Sequence, residues 1–142
     1  MWGNDRSGSK VTLNRMVLGI TLMVTFCMSV AVHANTVITG TYSNFTFNPE
    51  AGDLNGTEIR FVMTKKGMKG IVQFAEGGAG DVFIVDVMES GGRIHFELPI
   101  ESGFEGNFDG VLLKRALRGT FVFKTGAKEE VSLPRRPSYW DR

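Results

Sequence analysis

From residue 35 onward the chain alternates between apolar and polar positions in short runs with a period of two. Phe104, Gly106 and Phe108 share one parity, and Leu117, Gly119, Phe121 and Phe123 share another. Glu105, Asn107, Asp109, Arg118 and Thr120 are interleaved with them. Successive side chains of a strand point to opposite faces, so this rhythm predicts two half-buried strands with a common apolar side. Residues 57–64 repeat it, with Ile59, Phe61 and Met63 on one face and Glu58, Arg60 and Thr64 on the other. Residues 71–76 place Val72 and Phe74 inward. Residues 93–98 turn Ile94, Phe96 and Leu98 toward a core and Arg93, His95 and Glu97 away from it. Residues 82–88 are apolar on both parities except at Asp86, the pattern of a strand covered on both faces or facing a partner.

Turn formers punctuate these runs. Residues 48–53, Lys65 to Gly67, residues 76–81, and Ser90 with Gly91 and Gly92 are read as connections. Asp109 and Gly110 form a favourable hairpin pair. Pro99 ends the strand before it, because proline has no N–H for the ladder. Residues 111–116, VLLKRA, are expected as a loop or a short strand. With no helical periodicity after residue 34, the expected fold is all-β. It is an antiparallel meander curled into a small barrel or a half-open barrel over residues 35–134. Residues 135–142, PRRPSYWDR less its first proline, form a C-terminal tail.

The first 34 residues follow other rules. Arg6, Lys10 and Arg15 precede an uncharged run at residues 16–32, which ends in Val32, His33 and Ala34. That order predicts a signal helix cleaved after Ala34, and hence export to the periplasm or beyond. An uncleaved segment would anchor the domain to a membrane. Loss of the leader takes the basic count from 16 to 13 and the acidic count from 15 to 14. A near-neutral balance argues against nucleic acid and against electrostatic docking on anionic membranes. Cys27 leaves with the leader, so the remaining domain has no disulfide and no thiolate chemistry.

Sites of chemistry are sparse. His95 is the only histidine after Ala34, and with Arg93 and Glu97 it makes an R-x-H-x-E row. A histidine beside a carboxylate is a candidate general base, although alternating charge is also routine on a solvated strand. No serine nucleophile motif accompanies it. Asp81, Asp86 and Glu89 match no calcium loop, and the glycines match no phosphate loop. No cofactor is indicated.

Architecture of this kind resembles the small exported barrels of the lipocalin, avidin and bacterial lysozyme-inhibitor families. The resemblance is one of outline: Gly40, Thr41 and Tyr42 carry tyrosine where the lipocalin G-x-W has tryptophan. No family residues are carried over from it. In a small barrel lined with Phe and Gly each inward glycine removes a plug and leaves a cavity, and an apolar pocket is the usual form of a ligand site. Phe61, Phe96, Phe108, Phe121 and Asp86 are the candidate residues for a small apolar ligand held inside the sheet. An inward Asp86 would need a partner such as Arg60 or Arg118. The alternative is a protein partner in the cell envelope, docked through Arg135, Arg136, Tyr139 and Trp140 or the loop at Lys114 and Arg115.

Overall fold

The computed structural model describes residues 37–141, and the expected signal helix lies outside them. The described residues fold into two antiparallel sheets. The first contains β1 (Gly40–Ser43), β2 (Thr46–Asn48), β3 (Asp53–Thr64), β4 (Gly67–Gly77) and β5 (Ala79–Asp86). Its order is β1-β3-β4-β5, with β2 also paired to β3. The second contains β6 (Met88–Ser90), β7 (Arg93–Leu98), β8 (Gly106–Leu113), β9 (Ala116–Phe123) and β10 (Lys128–Pro134), in the order β10-β9-β8-β7-β6. Short 3-10 turns at Ile100–Ser102 and Tyr139–Asp141 are the helical elements among the described residues.

The all-β class and the antiparallel meander are as expected, but neither sheet closes into a barrel. The two seams explain why. At one, Val87 still donates its N–H to Met68 of β4, and the next residue, Met88, pairs with His95 of β7. The chain therefore changes sheets at a single residue. At the other, β1 meets the end of β10 through one bridge, between Tyr42 and Arg135. Arg135 donates its N–H toward Arg115 and Arg136 toward Thr41. Alternation puts the nitrogen of Pro134 on the β1 side, where proline has no hydrogen to give.

The core lies between the sheets. Tyr42, Ile59, Phe61, Val72, Phe74 and Val85 come from the first sheet, and Ile94, Phe96, Phe108, Leu117, Phe121 and Leu133 are among those from the second. Phe96 stacks on Phe108 at 4.9 Å, Phe108 meets Phe121 at 4.8 Å, and Phe74 reaches Phe121 edge-on at 5.2 Å. Each fully buried phenylalanine contributes about 1.5–3 kcal/mol through lost apolar surface, so this cluster carries much of the stability.

Three local expectations change. Asp109 and Gly110 sit within β8 rather than in a turn, and the hairpin turns at Lys114 and Arg115. Gly110 faces Gly119 across the ladder, and the ring of Phe108 fills the space beside both. A Cβ on Gly119 would lie 2.4 Å from Phe108 Cζ. The glycines therefore accommodate a ring rather than leave a cavity. Met63 lies beyond the core at the end of β3 and is exposed. Phe104 precedes β8 and lies outside the strand.

Candidate functional site

The four rings expected to line a ligand site are among the most deeply buried groups. Phe96, Phe108 and Phe121 are 0% exposed and Phe61 is 1% exposed, and their neighbours are one another and the remaining core. Asp86 departs from the expectation. Val85 takes the inward position on β5, so Asp86 faces outward and pairs with Lys69 across the ladder. Strand alternation keeps it away from the core, and it approaches neither Arg60 nor Arg118. Outward Val82 and Ile84 are exposed, so this strand is uncovered on its outer face within the described residues.

Where the core reaches one end of the molecule, its rings come to the surface. Phe83, Phe104 and Phe123 are only partly buried. Phe74 contacts Phe83 at 5.8 Å and Phe104 at 4.6 Å, and Phe104 contacts Phe123 at 6.3 Å. Local chemistry places Phe104 there. Pro99 ends β7, Ser102 Oγ donates to the Pro99 carbonyl at 2.6 Å, and the Phe104 N–H donates to Ser102 Oγ at 3.0 Å. Gly103 adopts φ 72°, a left-handed geometry that suits glycine. Gly106 then allows the close approach to β9, since a Cβ there would lie 2.2 Å from the Val122 carbonyl oxygen.

Phe104 and Phe123 line an open groove of ≈ 520 Å³ with Glu76, Glu105, Lys124 and Glu129. Lys124 Nζ pairs with Glu105 at 2.7 Å, which leaves two carboxylates in excess around aromatic walls. The groove falls in the size range of ligand sites, about 300–1,000 Å³. Its phenylalanines were legible as apolar positions. Their exposure depends on the Pro99 to Gly103 break, whose sequence signal is the paired breakers themselves.

His95 lies on the outer face of the second sheet. Its Nδ1 faces Asp109 Oδ1 at 2.8 Å and its Nε2 faces Glu97 Oε1 at 3.1 Å. The hydrogen bond to Asp109 raises the imidazole pKa above its ordinary value; burial opposes this and Glu97 adds to it. With a carboxylate at each nitrogen, the ring is held as a clamp between β7 and β8. Among the described residues no group of three or more His, Cys, Asp or Glu is gathered to hold a metal ion.

The tail residues converge on the first sheet. Arg135 donates to the carbonyls of Val37 at 2.8 Å and Thr39 at 2.6 Å, and its guanidinium lies 5.9 Å from the Tyr42 ring centre. Arg136 donates to the Phe45 carbonyl at 2.6 Å. Glu58 points away from the core yet is buried, because the tail covers it. It accepts from Ser138 Oγ at 2.5 Å and from the Tyr139 N–H at 3.0 Å. Tyr139 packs on the small apolar cluster of Phe45, Leu54 and Ala75. Trp140 donates its indole N–H to Gln73 at 2.8 Å and remains 53% exposed. Lys114 and Arg115 occupy an exposed turn elsewhere.

No protein-family model, curated protein or solved structure matches this chain.

Proposed function

We propose that this chain is an exported, non-catalytic binding domain that holds a small apolar ligand in the aromatic groove at the end of the sheets. The observation that carries the reading is the pair Phe104 and Phe123 beside Phe74, rings left partly open to solvent, unlike the fully buried Phe96, Phe108 and Phe121. Apolar walls with a few polar groups at the rim are the usual form of a small-molecule site. The carboxylates of Glu76, Glu105 and Glu129 favour a neutral or cationic ligand over an anionic one. The basic leader and uncharged run before residue 35 support export, and the clamp on His95 favours binding over catalysis.

Fluorescence titration with the neutral probe N-phenylnaphthylamine tests the site. Saturable binding is expected, weakened about tenfold by Phe104→Ala or Phe123→Ala, as loss of a stacked ring implies. Binding that both variants leave unchanged would refute the assignment. N-terminal sequencing of the protein from an envelope fraction tests export, with Asn35 as the expected first residue.

One observation favours a second reading, a protein partner on the first sheet. Trp140 is tied to Gln73, the ladder partner of exposed Val82, so a half-exposed indole and an uncovered apolar strand share one face. Aromatic side chains anchor many interfaces. Loss of an affinity-purified partner on Trp140→Ala, with the probe still bound, would favour this reading over the first.

A further inference from the structure

We propose a second binding site, on the outer face of the second sheet, for an anionic amphiphile whose acidic group sits between Arg93 and Arg118 and whose apolar part lies over Val111 and Met88. The ladders set the geometry. Arg93 pairs with Val111, and Val111 pairs with Arg118, so the two arginines occupy one rung on either side of a valine. Neighbouring strands lie about 4.8 Å apart, which puts the arginine backbones about 10 Å apart. Two long side chains span that distance with ease. Ser90 and Ser132 stand at the ends of the same rung.

Both arginines are exposed, and neither side chain has a hydrogen-bond or ion-pair partner among the described residues. Arg60, Arg135 and Arg136, by contrast, are all engaged. Three of the nearby carboxylates already have hydrogen-bond partners. Asp109, diagonal to both arginines, and Glu97 are held by His95. Glu89 accepts the Gly92 N–H at 2.9 Å. Glu130 is diagonal to Arg118 on β10 but makes no ion pair with it. Arg93 and Arg118 thus keep their guanidinium forks open, the geometry that recognises carboxylate, sulfate or phosphate oxygens.

The surroundings supply the other half of the ligand. Val111 is 47% exposed and Met88 62% exposed. With Arg93 and Arg118 they line a groove of ≈ 490 Å³ whose floor includes Gly110 and Gly119. A purely inorganic anion would use the arginines alone, whereas an amphiphile uses both features. Glu89 and Asp109 also line this groove, each with a hydrogen-bond partner, and balance the two arginines, whereas carboxylates are in excess in the end groove, so the two sites are separable.

Isothermal titration with octyl sulfate below its micellar concentration, and with neutral octyl glucoside as control, tests the proposal. Octyl sulfate is expected to bind at least about tenfold more tightly than octyl glucoside, and the double variant Arg93→Gln, Arg118→Gln to lose about tenfold or more of that affinity. The same variant should keep its melting temperature and its N-phenylnaphthylamine binding, and Phe104→Ala should leave octyl sulfate binding intact. Equal affinity for the two octyl compounds, or an unaffected double variant, would overturn the proposal.

Discussion

At the scale of the residue, Gly119 and His95 show two ways in which a sheet face is specified. Gly119 has no side chain because the Phe108 ring and the Asp109 carbonyl occupy the volume a Cβ would need, at 2.4 and 2.5 Å. Gly119→Ala is therefore expected to destabilise the protein by about 1–3 kcal/mol in urea unfolding, as overpacking does. Gly78→Ala, which meets nothing within 4 Å, should stay within about 0.5 kcal/mol. His95 acts through charge. Its folded pKa is raised above 6.5, chiefly by the hydrogen bond to Asp109. The stabilisation is thus fully present below pH 6.5 and is lost as pH rises through the folded value. Arg93 and Glu97 on its own strand, Asp109 on β8 and Glu89 on β6 are the charges around it. His95→Gln should accordingly lower stability at pH 5 and have much less effect at pH 9, as read from urea midpoints. An equal loss at both pH values would show that the ring acts by packing alone.

At the scale of the element, the C-terminal tail is held by polar contacts more than by apolar burial. Its anchor is Glu58, whose two carboxylate oxygens receive Ser138 and the Tyr139 N–H. On the strand pattern Glu58 belongs to a solvated face, and only the returning tail makes it a buried group. Hydrogen bonds to a charged group contribute about 1.5–3 kcal/mol each. Glu58→Ala should therefore free the tail, and trypsin should cut after Arg135 faster than in the parent protein, the next bond being an Arg–Pro bond that trypsin leaves intact. A parent-like digestion pattern would place the anchor elsewhere, in Arg135 and its carbonyl partners. Strand β5 makes a complementary point. Its nearly continuous apolar run indicates two covered faces or one face turned to a partner; Phe83 and Val85 turn inward, while Val82 and Ile84 are exposed within the described residues. A run without alternation carries no label for which face is buried, and the packing of Val85 and Phe83 on the core decides it.

At the scale of the whole domain, two open sheets enclose a core whose central rings are fully buried, while Phe83, Phe104 and Phe123 are partly open at its margin. Residues set the parity of this arrangement by themselves. The alternation of Ile59 with Arg60, of Phe96 with His95 and of Phe121 with Thr120 determines an all-β chain with a single oily side, because a strand has only two faces and one of them must leave water. Pro99 and the Gly91 and Gly92 pair likewise determine breaks, since their backbones restrict or release φ locally. Tertiary structure alone decided the rest. The Asp109 and Gly110 pair carries a turn signal, but a ring two residues earlier needed the space beside Gly110, and the turn moved to Lys114 and Arg115. Barrel closure failed because one N–H is missing at Pro134 and one residue, Val87, carries the crossing between sheets. Phe104 and Phe121 are alike in the sequence, yet one lines a groove and the other is fully buried. Arg93 and Arg118 became neighbours through a ladder that joins positions 25 residues apart. Local periodicity reports which way a side chain points, whereas what it meets there depends on strands brought together from distant parts of the chain.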